Sequence, residues 1–199
     1  MRGARSHPNI RNKMNGASLR PLAEPLPLSF LARIFGPPRD RLALLPLYEA
    51  LVARGRDPAW YQAGGVPDTL EGRFDMVTAV LALVLLRLER DGEAAAGQAA
   101  LLTEIFVEDM DGTIRELGFG DIVVGRKVGK LLGALGGRLG SFREAFAAGG
   151  TLDSAVTRNV FRGEPPSEEA LAFVAAGLRR LHDGLEALPL GEVVAGRLP

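Results

Sequence analysis

A run of apolar residues near the middle of the chain most constrains its fold. Almost every residue of 74–88 is apolar, and residues 76–86 carry no charge. A helix that is apolar all round is either a membrane span or the buried centre of a bundle. A span needs roughly 18 such residues, and Asp75 and Arg87 bound this run on either side. We therefore predict that it forms the central core helix of a soluble, all-helical domain.

The segment before this run carries the start signals of a helix. Asp68 follows the turn residues Gly65 and Pro67, and Glu71 stands three residues later, the spacing of a capping box. Apolar residues recur at helical spacing in five further stretches, and no stretch alternates like a strand. These stretches are 41–56, with Pro46 expected near its first turn, 93–117, 121–147, 151–161 and 165–188. The predicted fold class is all-α, a single-domain helical bundle of about six helices.

Charge and proline content divide the chain into three predicted parts. Residues 1–41 hold eight basic residues, two acidic residues and six prolines, and we expect this basic arm to be largely flexible. Residues 42–188 are expected to form the helical domain, and residues 189–199 a tail without a clear pattern. An arm with net charge +6 could contact anionic lipid headgroups or the RNA of a ribosome.

The residue types present exclude several kinds of site. The chain has no cysteine, and its two histidines, His7 and His182, lie far apart in sequence. Disulfides, thiol nucleophiles and cysteine-based metal sites are therefore excluded, and a histidine metal cluster nearly so. We predict no catalytic residue, no metal and no cofactor. The acidic residues of 108–121 could still serve acid–base chemistry in a small-molecule enzyme, although Asp111 and Arg115 have the spacing of an ordinary helix ion pair.

The stretch 121–147 combines a row of glycines with a basic flank. Glycines stand at positions 125, 129, 133 and 137, each four residues apart and therefore on one helix face. Small residues let another backbone approach closely, and we expect either a neighbouring helix or an outside partner there. The basic flank could bind phosphates or lipid headgroups, or it could be a solvated face. Because no aromatic residues interleave with it, we expect it to bind no specific nucleic acid. The flank consists of Arg126, Lys127, Lys130, Arg138 and Arg143.

Two blocks of sequence carry a resemblance to a known family. The first block holds LYEALV at residues 47–52, GVPDT at 65–69 and GRFD at 72–75. The second holds EDMD at 108–111, IRELG at 114–118 and VGRKV at 124–128. In this order and over roughly residues 42–146, the chain resembles the ubiquinol–cytochrome c chaperone family. The resemblance implies an all-helical assembly factor and not an enzyme.

The resemblance also implies partners and a location. Mitochondrial members of the family bind newly made cytochrome b, together with a small helper protein, near the ribosomal exit, and so promote assembly of respiratory complex III. The expected client is therefore cytochrome b or another nascent membrane protein. The expected location is peripheral to the inner membrane, on the cytoplasmic side in a bacterium or the matrix side in a mitochondrion. The alternative is a membrane-surface or ribosome- or RNA-associated helical adaptor unrelated to complex III.

The charged residues of both blocks form the predicted partner surface. Physically, most of them suit helix caps, turns and ion pairs that hold two long helices together. Our hypothesis is that segments 65–75 and 108–121 also contact the partner, with help from the basic flank. The predicted partner-binding residues are Asp68, Arg73, Asp75, Asp109, Asp111, Arg115, Glu116, Asp121, Arg126, Lys127 and Lys130.

Overall fold

The fold is a helical bundle without strands in the part of the chain that the structure describes. This computed structural model describes residues 38–116, 121–147 and 149–199. The helices are α1 Pro38–Gly55, α2 Pro58–Gln62, α3 Leu70–Arg90, α4 Glu93–Glu116, α5 Asp121–Phe146, α6 Leu152–Asn159, α7 Glu168–Ala187 and α8 Leu190–Val194. The predicted all-α fold class is confirmed, with two of the eight helices only five residues long. Residues 1–37 of the predicted basic arm lie outside the described residues.

Helix α3 is the centre of the bundle, as its apolar run predicted. Its residues from Met76 to Val84 are almost completely buried on every side. Four helices surround it, because α1, α4, α5 and α7 all pack against it. No helix among the described residues is long and apolar enough to cross a membrane.

The start of α3 differs from the prediction by one residue. Thr69 is the N-cap, with its hydroxyl accepting a hydrogen bond from the Gly72 amide at 3.1 Å. Asp68 instead accepts a hydrogen bond from Arg73 Nε at 2.6 Å. The predicted Asp68 cap and its capping box are therefore wrong, because Thr69 is also a favourable N-cap residue and leaves Asp68 free to pair with Arg73. Gly72 is required here, since a Cβ would lie 2.0 Å from the Pro67 carbonyl oxygen.

Helix α1 begins earlier than predicted, inside the segment assigned to the basic arm. It starts at Pro38, so Pro46 lies in its interior and not in its first turn. A proline there leaves the carbonyl of Leu42 without its helical partner, and Leu42 faces solvent. The proline carbonyl also lies close to Gly196, where a Cβ would approach it to 2.7 Å.

The end of the chain, predicted as a patternless tail, contains α8. Its Val193 is completely buried, and the helix packs against α1. Gly196, with φ +86°, turns the chain after α8 and fits closely against Pro46. Val193 therefore belongs to the core, and Leu190, Val194 and Leu198 pack against it.

A buried arginine joins the far end of α3 to α7. Arg87 donates through Nε to the Leu185 carbonyl and through Nη2 to the Leu188 carbonyl, both at 2.8 Å. It also donates through Nη1 to Asp91 at 2.6 Å, which lowers the pKa of Asp91. Because the carbonyls at a helix C-terminus lack helical partners, this cation both caps α7 and holds it against α3.

Candidate functional site

The antiparallel pair α3 and α4 brings the two predicted segments together. Only Asp91 and Gly92 separate these helices, and Gly92 has the positive φ of 58° that the tight turn requires. Because the helices then run in opposite directions, the N-terminus of α3 lies beside the C-terminal half of α4. Segments 65–75 and 108–116 therefore meet at one end of the bundle.

A groove of about 730 Å³ lies at this end, and we call it the central groove. Its walls come from α1, α3, α4 and α5, with Arg162 contributed by the loop between α6 and α7. Leu70 stands at its edge with 58% of its surface exposed. The apolar lining residues are Val52, Leu70, Phe74, Val77, Met110 and Leu131. The polar lining residues are Arg56, Glu71, Arg73, Asp109, Thr113, Lys130 and Arg162.

The charged residues of the central groove are held to different extents. Arg73 is paired with Asp68, and this hydrogen bond lowers the pKa of Asp68. Within the described residues, Arg56 and Lys130 have no ion-pair partner. Cations without an internal partner are the ones that can pair with a bound molecule at little cost.

A buried ion-pair network lies beneath the groove. Asp75 is only 2% exposed and accepts hydrogen bonds from Arg138 Nη2 and from Arg162 Nε, the latter at 2.6 Å. Arg138 also lies over the Phe74 ring at 5.6 Å and contacts the Asn159 carbonyl oxygen at 3.3 Å. Burial lowers the pKa of Arg138, and the Asp75 carboxylate opposes this shift. Asp75, which we predicted as a partner-binding residue, therefore joins α3, α5 and the α6–α7 segment from a position inside the protein.

The acidic residues of α4 are bound to separate partners. Asp109 accepts a hydrogen bond from the Tyr48 hydroxyl at 2.6 Å, and burial together with this carboxylate raises the pKa of Tyr48. Asp111 accepts from Arg115 Nε at 2.6 Å, as their spacing predicted. Glu108 pairs with Arg41 of α1. Over the residues that the structure describes, no group of three or more histidines, cysteines or acids is placed to hold a metal ion.

The predicted partner residues are only partly brought together. Arg73, Asp109 and Lys130 line the central groove, with Asp68 beside it through its ion pair. Five others do not line it. Asp75 is buried beneath it, Asp111, Arg115 and Glu116 lie elsewhere along α4, and Arg126 of α5 is exposed outside the groove. The side chains of Asp121 and Lys127 lie outside the described part of the chain. Sequence reasoning missed Arg56, Glu71 and Arg162, of which Arg162 comes from a distant loop.

No described residue of a neighbouring helix contacts the glycine row of α5. Gly125, Gly129, Gly133 and Gly137 are all exposed, and a Cβ on any of them would have no described atom of another element within 4 Å. The expectation that a helix of this chain packs closely on the row is therefore wrong for the described residues. The row lies on the side of α5 opposite the buried Leu135 and Phe142. A partner outside the chain stays a prediction.

Comparison with known proteins identifies the family. The sequence profile described as Ubiquinol-cytochrome C chaperone matches residues 62–198. The chain belongs to this family. The match extends through the last fifty residues, which the resemblance seen in the sequence had left out. The crystal structure of the Cbp3 homolog from Brucella abortus is similar to this chain, with a TM-score of 0.69 and 27% sequence identity over 85% of this chain and 91% of that one. Comparison with curated protein sequences gave no match.

Family membership supports the coarse function predicted from the resemblance. A ubiquinol–cytochrome c chaperone takes part in assembly of complex III, and such a role requires a client protein. Membership also favours a non-enzymatic protein. The central groove, formed where the two family-like blocks meet, is accordingly the candidate site for a client.

Proposed function

We propose that this protein binds newly made cytochrome b during assembly of complex III and holds an apolar helix of that client in the central groove. The observation that carries the proposal is the groove itself, with its largely apolar lining, the exposed Leu70 at its edge, and two cations, Arg56 and Lys130, that have no ion-pair partner among the described residues. The groove lies where α3 and α4 present the two blocks of sequence shared with the family. A small helper protein and contact of residues 1–37 with a ribosome or membrane surface belong to the same proposal, as does a position peripheral to the inner membrane.

The groove suits a client of this chemistry. A membrane protein that has not yet been assembled offers apolar helices flanked by polar segments. A helix placed in an apolar groove buries its apolar face there, at roughly 25 cal/mol for each Å² removed from water. Charged residues at the rim then fix its position and orientation. Exposed apolar side chains such as Leu70 are the expected contacts, because they lose solvent only when the client binds.

The first experiment combines gene deletion with two matched variants. Leu70→Glu places a charge at the edge of the groove, whereas Leu42→Glu places the same charge on α1 outside it; the two leucines are 58% and 67% exposed. Neither substitution buries the new carboxylate, so both variants should fold. Reduced-minus-oxidised heme spectra of membranes, with a blot for assembled complex III, measure function. We expect the deletion to lose the b-type signal, Leu42→Glu to restore it and Leu70→Glu to restore little of it.

Two results would count against the proposal. An unchanged b-type signal in the deletion strain, with complex III assembled normally, would mean that cytochrome b is not the client. Full restoration by Leu70→Glu would mean that the client binds elsewhere.

Removing residues 1–37, which leaves α1 intact, tests the arm separately, and we expect weaker co-sedimentation with ribosomes or membranes. Salt-sensitive co-sedimentation without any effect on complex III would favour the surface adaptor instead.

A further inference from the structure

Arg162 separates the central groove from a second cavity. This cavity, which we call the loop cavity, has a volume of about 560 Å³ and lies between the segment before α3 and the segment that joins α6 to α7. Arg162 and Glu71 line both cavities, and no other described residue does. The Arg162 guanidinium therefore forms part of the boundary between the two cavities.

Arg162 is the more weakly held of two arginines that share one carboxylate. Its side chain is 54% exposed, whereas that of Arg138 is 9% exposed. Arg138 also contacts the Asn159 carbonyl and the Phe74 ring, and its guanidinium and that of Arg162 repel each other. If Arg162 turns away, Asp75 keeps the buried Arg138 as its counter-charge. An unpaired buried charge is the costly outcome in such networks. Releasing Arg162 avoids it, because Asp75 and Arg138 remain paired.

The backbone at Arg162 is also unusual for a residue with a side chain. Its φ of +56° lies in the left-handed region. Every other described residue with a positive φ is a glycine. Non-glycine residues hold this conformation only where the surroundings enforce it. Two backbone hydrogen bonds fix this turn. The Gly163 amide donates to the Thr157 carbonyl, and the Glu164 amide donates to the Phe161 carbonyl. The backbone thus aims the side chain of Arg162 toward Asp75 and the groove.

We propose that Arg162 determines the specificity of the central groove, by transferring its hydrogen bond from Asp75 to a carboxylate on the bound client helix. The inference rests on the proposed function. Charge favours an acidic group on the client, because four basic and two acidic side chains line the groove among the described residues. A guanidinium is suited to the exchange, since its fork of donors binds a carboxylate in two-point geometry. When Arg162 turns, the loop cavity joins the groove, and the two together pass over the N-terminus of α3.

The test uses the full chain and two probe peptides. The probes are fluorescein-labelled amphipathic helices of leucine and alanine that differ only in one central residue, Glu or Gln. Fluorescence anisotropy gives the dissociation constant of each. We expect the wild-type protein to bind the Glu peptide about 10-fold more tightly, as a charge-assisted hydrogen bond supports. In Arg162→Gly this ratio should fall to about 1, because glycine keeps the left-handed backbone but supplies no guanidinium.

Control variants separate specificity from general effects. Arg162→Lys keeps the charge but not the fork, so its ratio should fall between those of the wild type and Arg162→Gly. Arg197→Gln removes an arginine that pairs with a carboxylate outside the groove and is 68% exposed, so it should keep the ratio. A thermal unfolding curve for each variant shows that it is folded, and a change in folding alone would weaken both peptides equally.

The possible failures are distinguishable. Equal binding of the two peptides by the wild type would overturn the role of Arg162 and leave the groove as a client site. A ratio that survives in Arg162→Gly, or disappears in Arg197→Gln, would do the same. Failure of the wild-type protein to bind either peptide would overturn both the role of Arg162 and the proposed use of the groove.

Discussion

The buried network around Asp75 makes the sharpest prediction about stability. Asp75→Asn keeps the size and shape of the side chain but removes the negative charge between Arg138 and Arg162. Removing one partner of a buried ion pair costs about 3–5 kcal/mol. Arg162 is half exposed and can be hydrated, so it adds little to this cost. The new amide can still accept one hydrogen bond, worth about 1 kcal/mol, and we therefore expect a net loss of about 2–4 kcal/mol.

Thermal unfolding followed by circular dichroism is a direct assay for this loss. In a domain of this size, each kcal/mol shifts the unfolding midpoint by roughly 2–4 °C, so Asp75→Asn should lower the midpoint by about 5–15 °C. Asp68→Asn is the matched control, because it removes the same charge from a pair in which both partners are exposed. Exposed pairs contribute little, and we expect the control to unfold close to the wild-type midpoint.

A double variant tests the physical cause. If the penalty comes from leaving Arg138 buried without a counter-charge, replacing both partners by apolar groups should recover much of the stability. The variant Asp75→Leu/Arg138→Met should therefore be more stable than Asp75→Leu alone. The reasoning is refuted if Asp75→Asn shifts the midpoint no more than Asp68→Asn does, or if adding Arg138→Met makes Asp75→Leu worse.

Two further predictions concern the free energy of unfolding, one for glycine substitutions and one for its dependence on pH. Gly177→Ala should destabilise the protein by about 1–3 kcal/mol, because its Cβ would lie 2.5 Å from the Trp60 ring. Gly133→Ala should stabilise the protein by up to about 1 kcal/mol, because a Cβ there has open space. Equal effects of the two substitutions in urea unfolding would contradict this contrast. Because burial and Asp109 raise the pKa of Tyr48 in the folded protein, the folded state disfavours the ionised phenol. The associated stability is fully present below the ordinary pKa of about 10 and is lost as pH rises above it. The unfolding free energy should therefore fall more steeply between about pH 9 and 11 in the wild type than in Tyr48→Phe, and equal slopes would contradict this assignment.

The sequence predicts the core of this protein better than its site. The buried α3 follows from a long apolar run with charged ends, and the helix pattern of the chain follows from apolar spacing. Local choices between similar residues are harder, as the N-cap at Thr69 in place of Asp68 shows. Arg162 could not be found from sequence, because it lies 87 residues from the carboxylate it contacts. The direction of the α5 glycine row was equally hidden, since spacing shows that glycines share a face but not which way the face points.

The placement of the ion pairs allows this fold to expose an apolar groove without losing stability. Arg87 joins α3 to α7. It lies 12 residues after Asp75 on α3, which corresponds to about 18 Å along the helix axis. Asp75 itself joins α3 to α5 beneath the groove. Leu70, at the edge of the groove, belongs to neither network and is largely exposed before any client binds. Arg162, in contrast, belongs both to the Asp75 network and to the lining of the groove. Substitution of Leu70 should therefore alter client binding at nearly constant stability. Substitution of Asp75, Arg138 or Arg87 should alter stability first and client binding only as a consequence.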